Sequence, residues 1–591
     1  MSLQIWLPLN GDLMNQGLSS AIISGTPVYA TTGKIGGKSL NTGMLSITAS
    51  DAEKILNNKT FSYACWIYVN ADTGVTSGCS AFFGRESMSS GGNRQFTLFQ
   101  YNNVNSLHWS WQNNTVTDSS TFTTGILPNV FPSRQWTHLA VTYENPVIKF
   151  YINGKLKHTV SNAVSNSSSF NYTLPVAVGS ASRYLNDVRI YDHCLSEKEV
   201  KDLAKGLVLH YRLAGPGQAN LTKGNNTYER NSASTDSFFW FSGSNFNCKP
   251  STTYTLSIDI DGTISNFHGG SASTDPAKRW ASMWFYLCKT GTSTNAADGY
   301  YDSPINLNST NYNFRKIGPT RYAWTYTTPA DARSLSIRGN TYSNGTDAIK
   351  VKFWNPKIEE GTIATPWCPR SDESIYTSLG YNNNIEYDCS GYRRNGTKSG
   401  TITWDIDSPR YATSYKFNTG SDYIKTNFSE TMDELSISFW VKPSSSNGGY
   451  SIICSNYNSP LGGLWLATNC EGCSVWAYRG AYMSVSGSLT NNVWHHCVYT
   501  FKNGVFKWYV DGEEKTLTQN TYTGTTMPIT DLTIGNSYTG TSWNTKRYGN
   551  LSDFRLYCTA LSAEDIAELY HSAVIVDNTG KSYAYEYFEA N

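Results

Sequence analysis

The chain has 591 residues, enough for three or four domains that each bury their own core. Charged residues make up only 15% and the formal net charge is +1, which argues against nucleic acid as a partner, because phosphate binding needs a basic patch. Aromatics reach 14%, a level suited to β-sandwiches whose surfaces meet neutral, hydroxyl-rich partners, and no apolar run of about 18 residues occurs, so membrane insertion is not expected.

The chain opens on a strand-like run, Leu3-Gln-Ile-Trp6-Leu-Pro-Leu9, without the basic region and long apolar core of a secretory leader, so assembly in a cytoplasm is expected. An alternating strand follows at Phe61–Val69. Trp136 to Gly154 then reads as two strands closed by Asn153-Gly154, a dipeptide that supplies positive φ for a tight hairpin. Val176–Gly179 and Asp187–Tyr191 are two further strands. Ser196 with Glu199 forms a capping-box signature for a short helix.

At Gly206-Leu-Val-Leu-His210-Tyr-Arg-Leu213 the pattern of the opening strand returns. Short strands separated by Gly, Ser and Asn turns then fill residues 217–370, which read as a further sandwich. Beyond it, Leu435–Lys442, Trp494 to Gly512, Leu532–Gly535, Asp553–Tyr557 and Ser562 with Asp565 repeat the earlier series block for block and in order. Asp565 is a weaker helix-capping partner than Glu199. Tyr583-Ala-Tyr-Glu-Tyr-Phe-Glu is a last alternating strand without a counterpart in the first copy. A repeat in register over this length means a duplicated domain.

The series W-x-H-x-A-x-T-Y, Y-I-N-G and D-V-R-I-Y-D-x-x-L-S resembles the laminin-G-like, concanavalin A-like lectin/glucanase superfamily. The resemblance implies an all-β chain of antiparallel jelly-roll sandwiches, with two concanavalin A-like domains. The close of the middle region, Lys357-Ile-Glu-Glu360-Gly-Thr-Ile-Ala364-Thr-Pro-Trp367, resembles the ending of carbohydrate-binding-module-like jelly rolls that recur in tail and fibre proteins of bacteriophages. Glu386 to Thr397 resembles the family's D-x-S-G element, yet appears only after the middle region. The expected domains are therefore 1–205, then a second concanavalin A-like domain made of 206–216 and 371–575, with 217–370 inserted into it, and a tail at 576–591. The rival arrangement strings the modules in series, with 206–215 as a linker.

Enzymatic activity is not expected. Glucan-hydrolysing relatives carry an E-x-D-x-x-E strand whose carboxylates serve as nucleophile and acid, and the sequence has none. The twelve cysteines do not repeat between the copies, and Cys470-Glu-Gly-Cys473 stands alone, as a turn rather than a zinc site. Calcium is the one cofactor considered, since lectin-like relatives hold a rim Ca²⁺; its candidate ligands are Asp388 and Asp553 in the second copy, Asp12 and Asp187 in the first. For glycan binding, exposed rim aromatics are needed, and the candidates are Trp109, Trp111, Trp465 and Trp476. Trp66, Trp136, Trp440 and Trp494 recur in both copies and read as scaffold.

Together these readings point to a bacteriophage virion surface protein on tail fibre, baseplate or capsid. It would bind host-surface or mucosal glycans and contact other virion proteins as a homo-oligomer. A purely structural decoration or spacer protein is the alternative, and a polysaccharide depolymerase the second alternative.

Overall fold

A computed structural model describes residues 3–48, 52–57, 59–70, 79–86, 94–101, 105–112, 122–161, 174–180, 183–214, 221, 227–232, 236–240, 246–263, 280–288, 302–307, 317–342, 349–360, 384–405, 407–410, 413–419, 421–444, 451–455, 464–469, 472–477, 481–486, 489–520, 524–535 and 549–571. The tail strand expected at 583–589 lies outside them, as do Cys470 and Glu471 of the Cys470–Cys473 turn.

The first unit is an antiparallel sandwich. One layer runs in the strand order 155–160, 147–152, 136–144, 60–69, 183–191, with Leu3–Leu7 added on the 183–191 strand. Ser39–Thr48 links it to a second layer of 176–180, 79–86, 94–101, 107–112 and 122–127. Alternation decides what the layers enclose. Phe61, Tyr63, Cys65 and Ile67 point inward and join Leu139, Val141 and Tyr143 of the paired strand in one core. The intervening Ala64 packs on the outer face with Ala140, Tyr151, Leu195 and Val200, under helix Glu197–Lys205.

That helix starts as its sequence requires. Ser196 accepts from the Glu199 amide at 3.2 Å, and the Glu199 carboxylate accepts from the Ser196 amide at 2.7 Å. In the second helix, Ala563–His571, the shorter Asp565 reaches the Ser562 amide at only 3.3 Å. Both hairpins carry the expected left-handed pairs, Asn153–Gly154 and Asp511–Gly512.

The second unit repeats this plan. Its outer layer orders 403–405, 414–417, 549–557, 434–443, 495–502, 505–510 and 513–515. Its opening strand is Leu207–Tyr211, which pairs antiparallel with 549–557, as Leu3–Leu7 pairs with 183–191. Leu209 and Tyr211 share one core with Phe417, Phe439 and Phe554. A bulge between Leu207 and Leu209 turns Leu207 to the other face, where it packs under the second helix. Between strand 207–211 and residue 384 the chain builds a four-stranded sheet (228–232, 349–360, 253–263, 317–327) and a five-stranded one (236–240, 246–247, 280–288, 302–307, 334–342).

The two units share a seam. Ile35 and Trp66 of the first unit belong to the second unit's core cluster. Tyr392 sits edge-on to Trp6 at 5.1 Å, and its hydroxyl accepts from Arg189 Nη2 at 3.1 Å. Lys201 and Lys205 of the first helix reach Glu568 of the second at 3.0 and 3.2 Å. Among the described residues no helix is long and apolar enough to cross a membrane.

Candidate functional site

On the first unit's outer face, three rings form one row. Tyr68 faces Trp136 across one strand pair and Tyr184 across the other, in direct register on both sides. Its ring lies 5.4 Å from each, tilted 52° against Trp136 and nearly parallel, at 7°, with Tyr184. All three are half-buried, so each keeps part of its surface toward solvent. The row lies at the strand ends, where Asn70, Arg134 and Gln135 are exposed, and Asn70 Nδ2 donates to the Tyr184 hydroxyl at 3.0 Å. Trp136 also packs against the second unit's core, so one end of the row rests on the seam.

Chemically, the row offers polarisable ring surface edged with amide and hydroxyl groups. Such a surface suits a ligand with apolar C–H faces and many hydroxyls. The second unit does not repeat it: Lys442 and Asn550 stand where the first has Tyr68 and Tyr184, and Trp494 donates to Asp407 at 3.0 Å.

The sequence-based candidates fall elsewhere. Trp109 and Trp111 are each 2% exposed and sit inside the first unit's core. Trp111 packs 4.4 Å from Tyr143, and Trp109 lies over Gly125, where any Cβ would meet the indole at 2.6 Å. The expectation that they form an exposed platform is therefore corrected. Strand 107–112 turns Leu107, Trp109 and Trp111 to one side and His108 and Ser110 to the other, which marks the indoles as the core face. Trp465 and Trp476 are backbone partners on adjacent strands; their side chains lie outside the described residues.

Three of the four calcium candidates, Asp388, Asp553 and Asp187, are corrected, because donors already occupy them. Asp388 accepts from the backbone amides of His210, Ser390 and Arg394 and from the Ser390 hydroxyl, at 2.7–3.0 Å. Asp553 meets His210, Arg555 and Arg410 at 2.9–3.0 Å. Burial alone would raise its pKa, but these two guanidiniums hold it well below the usual carboxylate range. Asp187 accepts from Trp6 Nε1 at 2.7 Å and from Arg189 at 3.1 Å. Asp12 accepts from the Met14 amide in an exposed turn. A calcium cage needs converging oxygens, and among the described residues no cluster of three potential ligands forms.

The histidines behave as scaffold. His138 and His496 are 2% exposed, and burial pushes each down to about 3. Trp66 and Trp440 stand beside them, ring centroids 5.1 Å apart in both units. The seven cysteines whose side chains are described, from Cys65 to Cys558, are free thiols.

A family model described as the concanavalin A-like lectin/glucanases superfamily matches residues 41–201 and 418–567. No curated protein matches the chain. Among solved structures, the chain is similar to domain 4 of an extracellular GH43 arabinanase from Geobacillus stearothermophilus, determined with arabinotriose, at 19% identity and TM-score 0.26, over 32% of this chain and 93% of that one. It is also similar to the botulinum neurotoxin serotype D binding domain, at 10% identity and TM-score 0.29, over 95% and 98% of the two chains.

Proposed function

The chain belongs to the concanavalin A-like lectin/glucanases superfamily, and from that premise we propose that it is a glycan-binding protein without hydrolytic activity, whose first unit holds neutral sugars on the Tyr68, Trp136 and Tyr184 row. The observation that carries this reading is the row itself: three half-buried rings, in register across three strands, with the Asn70 amide and the Tyr184 hydroxyl at its edge. The absence of an E-x-D-x-x-E string supports the non-enzymatic part, since glycoside hydrolysis needs a placed carboxylate pair.

A glycan array probed with the full chain tests this. Binding to neutral glycans is expected, with no release of reducing ends from the bound polysaccharide. No binding to any neutral glycan would overturn the reading.

We further propose that the protein sits on a bacteriophage virion surface, as a homo-oligomer in contact with other virion proteins. Its support is the closing string Lys357 to Trp367, with its likeness to modules of phage tail and fibre proteins. Antibodies against the chain should decorate intact phage particles. Particles that carry the chain but fail to label would contradict surface display.

A further inference from the structure

The two units cover the same patch by different means. Each outer face presents a Trp–His pair in cross-strand register, Trp66 with His138 and Trp440 with His496. Trp66 is 3% exposed and Trp440 5%. Over Trp66 lies the second unit: a Cβ on Gly206 would stand 3.3 Å from the indole and 2.4 Å from Cys558 Sγ, and Trp66 shares a core cluster with Cys558. Over Trp440 lies its own unit's helix. Tyr570 stacks on Trp440 at 5.8 Å and 24°, and on His496 at 6.1 Å and 18°.

The helices explain the difference. The hairpin glycine Gly154 rests against Ala204 in the first unit, and its equivalent Gly512 rests against Tyr570 in the second. Ala204 and Tyr570 therefore hold the same place. A small residue there leaves the Trp–His patch open to the next unit; a tyrosine closes it. Stacked repeats need such a closing unit, because a patch built to be covered by a neighbour is an association hazard at the end of a series.

We infer that the Trp–His patch is a socket for the lectin-like unit that follows, and that Tyr570 is an intrachain plug that closes the socket of the unit that carries it. The identity of the residue at this one helix position sets whether a unit continues the tandem or terminates it.

Two substitutions in the full chain test the inference, read residue by residue with hydroxyl-radical footprinting and hydrogen exchange. Tyr570→Ala should raise oxidation of Trp440 several-fold, with Trp66 and the exchange protection of strand 434–443 unchanged. Ala204→Tyr should place a ring over Trp66 and displace the second unit: Trp6, now under Tyr392, becomes several-fold more reactive, while strands 60–69 and 136–144 keep their protection. Unchanged Trp440 reactivity in the first variant overturns the plug. In the second, a Trp6 that stays protected, or loss of protection throughout the first unit, overturns the equivalence of the two sockets.

Discussion

Nε2 of His210 lies 2.9 Å from the Asp553 carboxylate, in the place where the first unit sets the indole Nε1 of Trp6 2.7 Å from Asp187. Both aspartates hold left-handed backbone, with φ of 53° and 52°, and each bonds the arginine two residues on. Duplication has kept the acceptor and exchanged the donor ring. In the second unit that exchange buries a titratable group.

Acid should destabilise the protein through its buried histidines. Burial pushes His210 down to about 4, with the Arg555 charge adding to it and Asp553 opposing it; His138 and His496 are pushed to about 3. A pKa depressed in the folded state gives stability that is present above the unfolded value near 6.5 and lost as pH falls toward the folded value. The midpoint of thermal unfolding should therefore fall steadily from pH 7 to pH 4.5, and His138→Gln should flatten the slope. A midpoint independent of pH over that window would contradict the burial assignment.

The seam should be energetically coupled at Tyr392. Its ring meets Trp6 edge-on, and Arg189 lies 4.6 Å from the Trp6 ring. Tyr392→Phe removes the acceptor for Arg189 and should cost about 0.5–1.5 kcal/mol. Tyr392→Ala also loses the aromatic contact, about 0.5–1.5 kcal/mol more. Denaturant unfolding of both variants, with Trp6→Phe closing a double-mutant cycle, reads the coupling; additive effects would mean the rings do not interact.

Metal removal should do nothing. Asp388 and Asp553 are saturated by amides and guanidiniums, and Asp187 by Trp6 and Arg189. Treatment with EDTA, or added Ca²⁺, should leave the unfolding midpoint where it is. A calcium-dependent rise of several degrees would show that ligands outside this set hold an ion.

Trp109→Ala and Trp111→Ala should act as core deletions, each costing about 3–5 kcal/mol. Loss of the first unit's cooperative unfolding is the expected readout. A variant of normal stability that has only lost sugar binding would restore them as platform residues.

Much of the fold is legible in the sequence, because hairpins and helix caps are local. Asn153-Gly154, Asp511-Gly512 and Ser196 with Glu199 each fix their own geometry. The repeated opening strand also marks where the second unit begins. The site is less legible. Tyr68, Trp136 and Tyr184 come from three distant segments, and only strand pairing sets them in one row. A signal does exist: Tyr68 and Tyr184 are aromatic in the first copy alone, so they are released from the scaffold role that Trp66 and Trp440 share. Trp109 and Trp111 mislead for the opposite reason. Period-two spacing puts both on one face of their strand, and the polar neighbours His108 and Ser110 show that the face is the inner one.

The most direct test of the account compares the full chain with Tyr68→Ala and Tyr184→Ala in titration calorimetry against the best neutral glycan from the array. Each half-buried ring should be worth about 1 kcal/mol of stacking, so each substitution should weaken binding about fivefold and the pair about 25-fold, with the unfolding midpoint nearly unchanged. Full affinity in the double variant would contradict the account, because the sugar would then be held somewhere other than on this row.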